Sequence, residues 1–156
     1  MSHLYTKPSC CVYINVVYPP DLAVPFWLPG IGSANGVAKW TSSAWSALGS
    51  GLGTGGWVNA LAVSGSDLYV GGYFTTAVGG SANCVAKWDG STWSALGSGL
   101  NNVVNALAVS GSDLYVAGYF YTAGGSNANL VAKWNGSAWS ALGEGLGTSM
   151  ELASMR

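Results

Sequence analysis

The segment VNALAVSGSDLYVGGYF, Val58–Phe74, returns as VNALAVSGSDLYVAGYF at Val104–Phe120, with Ala117 in place of Gly71 as the single difference. In each copy two apolar runs flank a Ser-Gly-Ser turn, and the second run ends in small residues. Runs of this length, rich in Val, Leu, Tyr and Phe and punctuated by Gly and Ser, specify β-strands joined in a hairpin. No segment of useful length carries the 3.6-residue periodicity of a helix. The fold class is all-β.

Working outward, Val58–Leu100 and Val104–Leu146 are identical at 34 of 43 positions. VAKW begins at Val37, Val85 and Val131, and WSALG begins at Trp45, Trp93 and Trp139, with intervals of 48 and 46 in both cases. These are duplicated units. Each holds four short apolar segments; in the second they are VNALAV, DLYVGGYF, CVAKW and TWSALG. Asp89-Gly90 and Asn135-Gly136 separate the last two segments and are hairpin signals, since both residue types tolerate positive φ. A four-stranded antiparallel unit of about 46 residues is the size of a propeller blade.

The order NALAVSGSDLYVGGYF…VAKWDGSTWSALG resembles a kelch-type blade: an inner strand, a strand ending in a double glycine, then two aromatic strands. Gly71 and Gly72 match the double glycine, and Trp93 and Trp139 match the closing tryptophan. The third unit departs at Ala117. The turn DGSTW is also similar to the Asp-box of some propellers, although Thr41 and Asn135 stand where Asp89 does. The resemblance implies a β-propeller of the kind found in secreted bacterial and fungal cell-surface proteins.

The first unit has diverged. At the same shift of 46, VYINVVYPPDL (Val12–Leu22) falls on Val58–Leu68, and Pro25 and Phe26 replace the double glycine. Proline cannot donate to a ladder. The expected organisation is an N-terminal tail (1–9), a degenerate first blade or arm (10–52), a second blade (53–100), a third blade (101–146) and a C-terminal tail (147–156). Closed propellers have typically 4–8 blades. Three blades leave both end sheets uncovered. Burying about 400 Å² of apolar area at each end is worth roughly 10 kcal/mol in all, comparable to the ~5–15 kcal/mol that holds a domain folded. The expectation is an incomplete propeller completed by oligomerisation or polymerisation: two chains closing a six-bladed ring, or a head-to-tail filament. A part of a longer propeller remains the other alternative.

Composition narrows the partners. Of 156 residues only 7% are charged, against about 25% in an average protein, while 24 are Gly, 8 Trp and 8 Tyr. A net charge of −1 gives no basic footprint for nucleic acid. No apolar run approaches the ~20 residues that span a bilayer as a helix, so no membrane insertion is expected. Weak charge repels copies of the chain only weakly.

Candidate ligand or interface residues are the pairs Trp40/Trp45, Trp88/Trp93 and Trp134/Trp139, which flank hairpin turns and meet across two strands. They pack blade on blade, or offer glycans one shallow stacking site per blade. Lys39, Lys87 and Lys133 precede each pair and alternate away from the apolar face. Asp21, Asp67 and Asp113 stand before the second strands, where Asp caps local N–H groups. His3 is the lone histidine. Cys10, Cys11 and Cys84 are too few for a closed disulfide set and lack metal spacing; they are buried thiols, or one links to another chain. No cofactor and no catalytic group are expected. Near-identical units present the same few groups each time, which suits repeated binding or assembly. The function expected is a non-enzymatic, self-associating, structural or adhesive repeat protein, which the resemblance places outside the cell or at its surface; the alternative is a carbohydrate-binding lectin.

Overall fold

The computed structural model describes residues 2–7, 11–16, 27–28, 32–33, 36–41, 44–53, 56–77 and 80–146. Among them there is no helix, and every sheet is antiparallel. The first third contains β1 (Ser2–Lys7), β2 (Cys11–Val16), β3 (Trp27–Leu28), β4 (Gly32–Ser33), β5 (Val37–Thr41) and β6 (Ala44–Ala47). The second contains β7 (Trp57–Ser64), β8 (Asp67–Tyr73), β9 (Thr76–Ala77), β10 (Gly80–Ser81), β11 (Val85–Trp88) and β12 (Trp93–Ala95). The third contains β13 (Val104–Ser110), β14 (Asp113–Gly118), β15 (Thr122–Ala123), β16 (Ser126–Asn127), β17 (Val131–Trp134) and β18 (Trp139–Ala141).

Three four-stranded sheets result, with orders β1-β2-β5-β6, β7-β8-β11-β12 and β13-β14-β17-β18. Each also has a two-stranded ladder, β3-β4, β9-β10 or β15-β16. The architecture is blade-like. Gly65 and Gly111 adopt φ of 58° and 61° in the two-residue turns that set the first hairpin of the second and third sheets, as tight hairpins require.

The sheets stack through alternate faces. Leu68, Val70, Ala86 and Trp88 point from the second sheet toward the first, where Val37, Leu48 and Leu52 complete one core. Tyr69, Val85 and Ala62 point the other way, into a second core with Val104, Leu114, Val116, Ala132 and Trp134 of the third sheet. Period-two alternation with apolar residues on both faces marks the second sheet as a middle layer. Between β8 and β11, β9 pairs with β10, and Phe74, Ala77 and Ala82 are buried in the first core.

The first unit corrects the expected boundaries. β1 lies within residues 1–9, so this stretch is not a free tail but an edge strand paired with β2 from Ser2↔Val16 to Lys7↔Cys11. β2, expected to match β7, instead occupies the place of β8. Val12, Tyr13, Ile14 and Asn15 stand opposite Trp40, Lys39, Ala38 and Val37, as Leu68, Tyr69, Val70 and Gly71 stand opposite Trp88, Lys87, Ala86 and Val85. The reason is topological: VAKW must lie beside the strand that precedes it in the sheet, and register outweighs the identities of Val12, Val17, Asp21 and Leu22 with Val58, Val63, Asp67 and Leu68. Cys10, Asp21, Pro25, Phe26 and the expected tail 147–156 lie outside the described residues.

Candidate functional site

The junctions between sheets are built from the repeated WSALG segment. Within each unit the two tryptophans face one another across the ladder, as Trp40↔Trp45, Trp88↔Trp93 and Trp134↔Trp139. Their rings are tilted at 51–54° with centroids 5.1–5.3 Å apart, within the range favoured by aromatic quadrupoles. Each of the last two pairs then reaches back to the preceding unit. Trp93 Nε1 donates to Leu48 O at 2.7 Å, and Trp139 Nε1 donates to Leu96 O, also at 2.7 Å.

The receiving turn is shaped for this. Gly49 and Gly97, with φ of 59° and 58°, follow the accepting leucines. A Cβ added there would stand 3.4 Å from Cζ3 of Trp88 or Trp134. The same carbonyls also accept the turn bonds Gly51 N→Leu48 O and Gly99 N→Leu96 O, both 3.1 Å, so a junction occupies both lone pairs. Leu48 and Leu96 are 1% and 2% exposed. At the opposite edge of the second sheet, on β7, Asn59 adds a polar tie: its Nδ2 donates to Val104 O at 2.9 Å and to Asn105 Oδ1 at 3.3 Å.

Both ends of the row carry half of this arrangement. At the third sheet, Leu142 is 37% exposed. Gly143 has φ 59°, like Gly49 and Gly97, but no atom of the described residues lies within 4 Å of its Cβ position. Leu142 O accepts the turn bond from Gly145 N at 3.0 Å and, among the described residues, no indole. At the first sheet, Trp40 is half-exposed whereas its counterparts Trp88 and Trp134 are buried. Among the described residues Trp45 Nε1 meets no acceptor.

The outer face of the third sheet repeats this asymmetry. Ala60, Ala62, Tyr69 and Val85 are buried beneath the third sheet. Their counterparts Ala106 and Ala108 are exposed, and Tyr115 and Val131 half-exposed.

The lysines are held more firmly than expected. Lys87 pairs with Asp67 at 3.2 Å and Lys133 with Asp113 at 3.1 Å. The acids therefore serve the neighbouring strand rather than only their own turn, and the hydrogen bond from Lys133 to Asp113 raises the lysine pKa. Alternation across the register of β8 and β11 was the signal, since Asp67 lies two residues before Tyr69, the partner of Lys87.

The four-residue loops after β11 and β17 depart from a two-residue Asx-Gly turn. Only the glycines take positive φ, 107° at Gly90 and 98° at Gly136. Asp89 Oδ1 instead accepts from the backbone N–H of Ser91 and Thr92, both at 2.8 Å, and Asn135 Oδ1 accepts from Ser137 and Ala138 at 3.0 and 2.8 Å. The Thr92 and Ser91 amides hold the Asp89 carboxyl far below the usual carboxylate range.

Exposed aromatic surface lies elsewhere than the sequence suggested. Tyr73, Tyr119 and Tyr121 are open to solvent, and Tyr73 stacks on Trp57 at 4.8 Å and 25°. The alternation Tyr-Phe-Tyr at 119–121 carried that signal, because Phe120 between them is buried. Cys84 is a free, buried thiol, and its burial pushes its pKa up. Among the described residues no three His, Cys, Asp or Glu side chains gather as a metal set, and no helix is long and apolar enough to cross a membrane. No protein-family model matches the chain, and no curated protein sequence matches it.

Proposed function

We propose that the protein is a non-enzymatic, self-associating repeat protein, a kelch-like propeller of three blades per chain that is completed by further copies. The reading gives it a structural or adhesive role outside the cell, the setting in which similar repeats occur. One observation carries it: the outer face of the third sheet has the residues that the second sheet buries, yet leaves them open. Apolar faces of this kind mark interfaces, and a low charge opposes their meeting only weakly. Glycan stacking on the tryptophan pairs has less support. Trp88 and Trp134 are buried, and the Nε1 groups of Trp93 and Trp139 are already engaged by backbone carbonyls.

Sedimentation velocity on the purified chain over the micromolar range tests the proposal. Species larger than one chain, growing with concentration, are expected; a monomer throughout refutes it. Electron microscopy of the same sample separates a closed six-bladed ring from an open filament.

A further inference from the structure

The junction between units is a directional plug and socket, and its unused halves lie at opposite ends of the chain. The plug is a tilted tryptophan pair with one free indole N–H. The socket is a Leu-Gly turn with a left-handed glycine and a carbonyl oxygen that has a spare lone pair. Inside the chain the combination occurs twice, with the same 2.7 Å bond each time. Among the described residues Trp40–Trp45 is a plug without a socket, and Leu142–Gly143 a socket without a plug.

We infer that a second copy of the chain seats its Trp40–Trp45 pair on the Leu142–Gly143 turn, with Trp45 Nε1 donating to Leu142 O. This rests on the self-association proposed above and names the surface that performs it.

Three further features fit the same occupant. Leu142 is followed by Gly143 at φ 59°, so the turn is already in the conformation that receives a ring in the other two units; no rearrangement has to precede docking. Asn105 is exposed at the position from which Asn59 ties the second sheet to the third. It is therefore placed to tie the third sheet to a following strand. Lastly, Ala117 adds a methyl to the open face where Gly71 has none. The strand of a second copy that would meet it, β1, carries Ser2 at the register position of Val104. A smaller residue thus stands opposite the larger one.

Because plug and socket differ, the interface is heterologous: one end of a chain meets the other end of the next. Two variants separate the halves. Trp45→Ala removes the plug and keeps the socket. Leu142→Arg places a charge in the socket while preserving the plug and the backbone bond Gly145 N→Leu142 O. Leu142 is already partly in water, so the second variant tests the interface without a buried substitution.

Sedimentation velocity and light scattering are read on each variant and on their equimolar mixture, with circular dichroism to confirm the β-sheet content. Each variant alone should associate at least about 30-fold more weakly than the parent chain, the scale of a central aromatic anchor. The mixture, in which one intact plug meets one intact socket, should give a heterodimer and nothing larger. If the parent chain assembles and neither variant weakens it, the plug and socket are refuted while self-association stands. If both variants weaken assembly and mixing restores nothing, the head-to-tail direction is refuted. If the parent chain is monomeric, the self-association reading itself falls.

Discussion

Replacing Gly71 by Ala should destabilise the protein, although the same exchange already exists at Ala117 in the third unit. A Cβ at Gly71 would lie 2.5 Å from Val104 Cγ1, 3.1 Å from Val104 Cβ and 3.3 Å from Leu107 Cδ1, all on the next sheet. Val104 is fully buried, and its β-branched side chain is held in the second core. Overpacking of one methyl into such a site costs about 1–3 kcal/mol. That exceeds the roughly 0.4–1 kcal/mol by which Gly→Ala stiffens the unfolded chain, so the net sign is loss. For a chain of this length each kcal/mol lowers Tm by about 2–4 °C. Val104→Ala removes both γ carbons and alone costs about 2 kcal/mol through lost burial. In the double variant the 2.5 Å contact is gone, and only the tighter-than-usual approaches to the Cβ of residue 104 and to Leu107 Cδ1 remain. Thermal unfolding followed by circular dichroism should find the pair more stable than the sum of the singles by at least about 1 kcal/mol. Ala117→Gly, on the open face, should lower stability by about 0.5–1 kcal/mol. Additive single effects, or a neutral Gly71→Ala, would refute the claim that inter-sheet approach selects the first glycine.

Trp93→Phe and Trp139→Phe keep a ring but delete the 2.7 Å indole bonds to Leu48 O and Leu96 O. Each should cost about 1 kcal/mol in urea titration at low concentration, whereas Trp45→Phe should cost nothing measurable under the same conditions. Asp89→Asn should leave the neutral-pH Tm unchanged, because Asn135 makes the same two backbone bonds. The folded carboxyl is depressed below its unfolded value; its contribution is therefore complete above the ordinary Asp range and is lost as pH falls through the folded pKa. The asparagine variant should accordingly lose less Tm than the parent below about pH 3.9. Asp89→Ala, which has no acceptor, should be less stable at every pH. In a Cys10→Ser/Cys11→Ser background, Cys84 should react with a thiol-directed disulfide reagent at least about tenfold more slowly than the urea-unfolded chain. Its thiol is buried and its thiolate disfavoured. Equal rates would contradict that burial.

The strands of the second and third units were legible because local chemistry agreed with the fold at each position. VNALAV and DLYVGGYF alternate, Ser-Gly-Ser turns, and β7 and β8 begin and end within a residue or two of those runs. What escaped was whatever depends on a neighbour. The lysine–aspartate pairs needed the cross-strand register, and Phe74 and Phe120, read as strand residues, lie just past β8 and β14, buried beside the short ladders. The tryptophan pairs were visible, but their backward reach to Leu48 and Leu96 was not, since nothing in WSALG says which carbonyl an indole will meet. The first unit was misaligned for the same cause. Its partner strand β5 is recognisable, but β2 shares only Tyr13 with β8 at matching register, and tertiary pairing overrode that weak local signal.

The double glycine shows how two requirements can hide in one motif. A Cβ at Gly72 would collide with the Trp57 carbonyl, and one at Gly118 with the Val103 carbonyl, both within the same sheet. That demand is intrinsic to the unit, and both units keep the glycine. The first glycine answers to the next sheet, through Val104, and where the row ends it has become Ala117. At the third sheet Ala117 takes the place of the first glycine, while the Leu142–Gly143 turn has the left-handed conformation of Leu48–Gly49 and Leu96–Gly97. The open face therefore differs from the one inside the chain, where a glycine meets Val104. Retaining only the acceptor fits a partner whose leading strand differs from β13, and the strand of this chain that differs is β1.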